Sequence, residues 1–74
     1  MKQIYNMSTE EIREQVKQYM EYGVISRVVQ CFERLKWLGK LRQHEYLLLS
    51  VAYLQKGKRS AAVSIIKRYN IIYM

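Results

Sequence analysis

Tyr19-Met20-Glu21-Tyr22-Gly23-Val24-Ile25-Ser26-Arg27-Val28-Val29 returns 34 residues later as Tyr53-Leu54-Gln55-Lys56-Gly57-Lys58-Arg59-Ser60-Ala61-Ala62-Val63. The aromatic, the glycine, the serine and the closing aliphatic stay in register. The correspondence extends outward through Ile12 with Tyr46, Val16 with Ser50, Phe32 with Ile66, Arg34 with Arg68 and Leu35 with Tyr69. A repeat of this length is one supersecondary unit that cannot bury its apolar face alone, so neighbouring units must stack. Stacked helical units build extended interaction surfaces. The repeat therefore points to a binding module.

Three glycines divide the chain. Gly23, Gly39 and Gly57 are its strong punctuation, and there is no proline. Ser8-Thr9-Glu10-Glu11 predicts a capping box: the serine hydroxyl takes a backbone N–H three residues on, and Glu11 reaches back. Glu10, Glu11 and Glu14 suit the positive end of that helix dipole. The first helix carries Ile12, Val16, Tyr19 and Met20 on one face and stops at Gly23. A second helix, from Val24 or Ile25 to Leu38, carries Val28, Val29, Phe32 and Leu35. A third, from about Arg42 to Lys56, is apolar nearly all round, which predicts a helix sandwiched between neighbours. A fourth is expected to be capped by Ser60, to pack through Ala62, Val63, Ile66 and Tyr69, and to stop at Asn70. The expected fold is all-α. A short arm at 1–8 precedes two antiparallel helix hairpins over 9–70, at about 9–39 and 42–70, and an apolar tail follows at 71–74.

Near this size a single core supplies roughly 3–5 kcal/mol, and small domains usually add a staple. Cys31 is the only cysteine and His44 the only histidine, so neither an internal disulfide nor a four-ligand zinc site can form within one chain. No metal or other cofactor is expected. A second copy or a partner protein is the expected extra stabiliser. The run Ile71-Ile72-Tyr73-Met74 should itself be covered or bound. Ile71, Ile72 and Tyr73 are therefore candidate interface residues. A single cysteine and the lack of a signal sequence or long apolar span suggest a cytoplasmic setting without membrane insertion.

The charge of +7 is uneven. Residues 1–26 hold three Lys/Arg against four Glu, while residues 27–74 hold ten against two. This balance favours acidic partners. Lys56, Lys58, Arg59, Lys67 and Arg68 form the candidate set for an alternative, nucleic-acid-binding reading, with Ser60–Arg68 posing as a recognition helix. Lys56 and Lys58, however, fall where a helix-turn-helix wants apolar packing beside its turn glycine. Trp37 is expected to be buried where the hairpins join, with a partner contact as the alternative. His44 has no second histidine or paired carboxylates to form an acid/base site. Cys31 reads as a small buried apolar residue. No phosphate loop or nucleophile elbow occurs, and no enzymatic activity is expected.

The second unit, with Tyr46, Leu49-Ser50, Tyr53, Gly57, Ala62 and Ile66, resembles the tetratricopeptide repeat. The first matches through Ile12, Gln15-Val16, Tyr19, Gly23, Val28 and Phe32. The resemblance covers about residues 9–74 and implies hairpins stacked as a short right-handed superhelix. Neither unit carries the closing proline, Val28 replaces a small residue, and no third unit or polar capping helix is present. The family likeness implies a groove lined by Arg13, Lys17, Met20 and Glu21 from the first unit. Leu47, Leu48, Val51, Leu54 and Gln55 line it from the second. Such a groove suits a partner helix or extended segment with apolar anchors and some acid. Leu47 and Val51 stand where the family's clamp for chaperone tails has polar residues, so chaperone-tail binding is not expected. An adaptor or chaperone-like role, as in small bacterial secretion chaperones with such repeats, or a subunit role in an assembly, is the expectation by analogy.

Overall fold

The computed structural model describes residues 3–69. Asn70 and the candidate interface residues Ile71, Ile72 and Tyr73 lie outside them. Among the described residues the secondary structure is a 3-10 turn, Ile4–Asn6, and four α-helices: α1 Thr9–Glu21, α2 Ile25–Trp37, α3 Gln43–Gln55 and α4 Arg59–Tyr69.

Local chemistry sets the boundaries. The Glu11 N–H donates to Ser8 Oγ at 3.1 Å and the Ser8 N–H donates to Glu11 Oε1 at 2.8 Å, closing the capping box. At α3 the Glu45 carboxylate reaches back to accept the Arg42 N–H at 2.8 Å. Arg42 cannot reciprocate, because a guanidinium has only donors.

The helix stops of α1, α2 and α3 are the same device three times over. The N–H of Gly23 bonds to Met20 O and that of Val24 to Tyr19 O. Gly39 and Lys40 repeat this on Lys36 and Leu35, and Gly57 and Lys58 on Leu54 and Tyr53. This is the Schellman pattern, which needs a left-handed residue at its pivot. The three glycines supply it at φ +71°, +72° and +77°.

The helices pair in chain order. α1 packs on α2, α2 on α3 and α3 on α4. They form an open row of two hairpins instead of the closed ring of a four-helix bundle, in which the first helix would also pack on the last. Ile12, Phe32, Leu35 and Leu49 are fully buried at the centre, with Val28, Ala52 and Ala62 around them. Ser50 and Ala62 are small and buried on the paired helices α3 and α4. Small side chains let such a pair approach closely. The Ser50 hydroxyl is satisfied by donating to Leu47 O at 2.6 Å.

Three local expectations are corrected. α4 begins one residue before Ser60, because the turn at Gly57 leaves only Lys58 as a spacer. The Ala62 N–H bonds to Lys58 O at 3.1 Å, so Ser60 lies inside the first turn and Lys58 holds the cap position. The buried stripe of α4 runs through Ala62 and Ile65, while Val63 is 42 % exposed. Ile65 lies three residues from Ala62 on the same helix face, whereas Val63 is rotated about 100° away. Trp37 is 77 % exposed instead of buried at the join. Tyr53 fastens that join by donating its hydroxyl to Glu33 on α2.

Candidate functional site: the outer face of α3

α3 buries Glu45, Leu49, Ser50, Ala52 and Tyr53 on one side. Its other side is left open although it too is aliphatic. Leu47 is 45 % exposed, Leu48 39 %, Val51 43 % and Leu54 49 %. The spacing of 47, 51 and 54, with 48 and 55 beside them, is that of one helix face. The helix is therefore apolar all round, as its sequence indicates, but covered on one side only.

This face carries no charge. Among Gln43–Gln55 the only Asp, Glu, Lys or Arg is Glu45, which is buried on the other side. Gln43, His44 and Gln55 complete the exposed surface. Arg42 and Lys56 flank the helix in sequence, so an uncharged stripe ends on cations at both ends.

The remaining candidates lie on α1. Met20 is exposed beside the hairpin turn. Lys17 lies in solvent, 3.6 Å from Glu14, in a pair too exposed to hold it firmly. Arg13 is employed differently from its neighbours. Its Nε donates to Glu45 Oε2 at 2.7 Å, and its Nη2 donates to Glu45 Oε1 and to Lys40 O, both at 2.8 Å. Arg13 thus ties α1 to the start of α3. The bonds from Arg13 hold the Glu45 carboxyl below its ordinary value, with burial opposing.

The basic candidates do not form one patch. Lys56 Nζ donates to Ser26 Oγ at 2.9 Å, tying the α3–α4 turn to the start of α2. Lys58 and Arg59 are exposed at that same turn. Lys67 and Arg68 lie at the opposite end of α4, about 12 Å along the helix from Arg59.

Two residues that sequence reasoning passed over belong to a second feature. Arg34 stacks between Tyr5 and Trp37, its guanidinium carbon 5.0 Å from each ring centroid. The i, i+3 spacing of Arg34 and Trp37 was a usable signal, but nothing local places Tyr5 there. The 3-10 turn carries it onto α2.

Among the described residues no cluster of three or more His, Cys, Asp or Glu could hold a metal ion, and no helix is long and apolar enough to cross a membrane. Comparison with family models, with curated proteins and with solved structures returns no match.

Proposed function

We propose that this chain is a protein–protein interaction module of the tetratricopeptide-like kind, an adaptor, chaperone-like factor or assembly subunit. On this reading its two hairpins are the start of a short right-handed superhelix. Its outer α3 face, edged by Met20 and Lys17, receives a partner helix or extended segment. The observation that carries the reading is the set Leu47, Leu48, Val51 and Leu54, exposed together on a face without charge. A fold gains nothing from four aliphatic side chains held in water, and clustered exposed apolar surface marks binding sites. Arg13 positions α1 against α3 on this reading and takes no direct part in binding. The basic ends of the stripe favour a partner with apolar anchors between acidic residues.

The test is capture of partners from the native source by the wild-type chain and by Leu47→Ser/Val51→Ser. Loss of a partner from the variant, with helical content unchanged, is expected. Equal capture by both would reject the reading.

One observation favours a second reading. From Tyr46 onward the chain has no Asp or Glu, and Lys58 and Arg59 are exposed at the α3–α4 turn. A surface of this kind suits the phosphate backbone of nucleic acid. Binding would then weaken steeply with salt as condensed counterions cease to drive it. Lys58→Glu/Arg59→Glu would abolish this mode and leave the α3 mode nearly intact.

A further inference from the structure

Arg34 is held in place by aromatic rings. Its guanidinium is held between the rings of Tyr5 and Trp37, at 5.0 Å from each. Its Nε is buried with no hydrogen-bond partner among the described residues. The adjacent carboxylate, Glu33, instead accepts the Tyr53 hydroxyl. Yet the two rings are far from buried: Tyr5 is 70 % exposed and Trp37 77 %. Together with Ile4, Gln30 and Glu33 these three residues line a cleft of about 750 Å³ between the 3-10 turn and α2.

We infer that this cleft is a second recognition site, one that takes an Asp or Glu carboxylate from a partner protein, with an apolar side chain of the partner beside it. A guanidinium stacked on two rings has lost part of its hydration, so an arriving anion displaces less water. Its planar fork matches a carboxylate in two parallel hydrogen bonds. The ring edges and Ile4 then exclude water around the pair, the arrangement in which Trp, Tyr and Arg dominate binding energy.

The cleft also discriminates among anions. Glu33 lines it and carries negative charge, and none of its lining residues is a lysine. Arg34 and Glu33 leave the cleft without excess positive charge to neutralise a phosphate dianion, while Ile4 and the two rings offer apolar surface that a peptide side chain can use and a phosphate cannot. An acidic peptide is thus the favoured occupant. The site stands on the arm and α2 and does not depend on the α3 face.

Trp37 is the only tryptophan, so its fluorescence reports on this cleft directly. The probes are two capped tripeptides, acetyl-Ile-Asp-Leu-amide and acetyl-Ile-Asn-Leu-amide, and inorganic phosphate, titrated into the full chain. The expected result is a saturable Trp37 change with the Asp peptide and a response at least about tenfold weaker with the Asn peptide and with phosphate. In wild-type protein, the Arg34 Nε–H resonance should shift with the same midpoint. Arg34→Lys keeps the charge but loses the fork, and should weaken Asp-peptide binding about tenfold. Leu47→Ser should leave this binding unchanged. Equal response to Asp and Asn peptides would overturn the inference, and so would tighter binding of phosphate. A Trp37 signal that changes with protein concentration alone would assign the cleft to a second copy and overturn it too.

Discussion

Arg13 on α1 and Glu45 on α3 form a two-point ion pair, Nε to Oε2 at 2.7 Å and Nη2 to Oε1 at 2.8 Å, across 32 residues of sequence. The pair joins the first helices of the two repeats, the elements on which the proposed groove is built. Its geometry is the bidentate fork that makes arginine and carboxylate a strong match. Glu45 is buried while Arg13 is partly exposed. Removing the arginine therefore strands a carboxylate. Arg13→Ala should cost about 1–3 kcal/mol, discounted for the solvent that reaches the pair. Urea denaturation at neutral pH measures it. A cost indistinguishable from zero would show that the pair does not hold the hairpins together.

The same pair makes stability depend on acid. Glu45 is held below its ordinary value of 4.5, chiefly by its bonds from Arg13. A carboxyl depressed in the folded state binds fewer protons there than in the unfolded state. Its contribution is therefore complete above about pH 4.5 and is lost as pH falls below that value towards the folded one. Thermal melts between pH 7 and pH 3 should show the loss, and Glu45→Gln should flatten that part of the profile.

Tyr53 works in the opposite direction. Burial first, and then the bond to Glu33, push its phenol well above its ordinary value of 10.0. Its stabilisation is present below that pH and is lost as pH rises through the alkaline range. Tyr53→Phe should cost about 1 kcal/mol at neutral pH. It should also remove a late-ionising phenol from an ultraviolet titration of the folded chain.

The register of α4 can be tested side by side. Ile65→Ala should destabilise by about 2–4 kcal/mol, since it opens a cavity beneath a buried side chain. Val63→Ala, on the open side, should fall within about 0.5 kcal/mol of wild type. Reversed magnitudes would restore the phase that the sequence alone suggests.

Gly23, Gly39 and Gly57 should each resist substitution for a reason of conformation alone. A Cβ built at any of them meets nothing within 4 Å, yet the backbone is left-handed. Replacement by Ala should cost about 1 kcal/mol per site, and by Asn less, because asparagine tolerates that conformation better. Equilibrium unfolding of the six variants checks the order.

The hairpin stops were legible because each is a local contract between one glycine, the four residues before it and the one after it. The Ser8–Glu11 cap was legible for the same reason. What could not be read was anything decided by rotation or by distance in sequence. The phase of α4 depends on how far its first turn advances past Gly57, and Val63 and Ile65 are both good core residues by chemistry. α3 offers aliphatics in every direction, so its pattern cannot say which side stays uncovered; only the positions of α2 and α4 decide that. Arg13 stands at a groove position by analogy, and its partner Glu45 is visible only once α1 and α3 are side by side. Trp37 is the plainest case: a large apolar side chain reads as core, but Arg34 gives it a stacking partner at the surface instead.

On the proposed reading the open α3 face binds a protein partner. The most direct measurement is the affinity of the chain for the partner it captures, compared with that of Leu47→Ser/Val51→Ser at low and high salt. A loss of at least about a hundredfold is expected in the variant, from two truncated apolar anchors, with only modest salt dependence in the wild type. Unchanged affinity in the variant, or wild-type binding that collapses with salt, would contradict it.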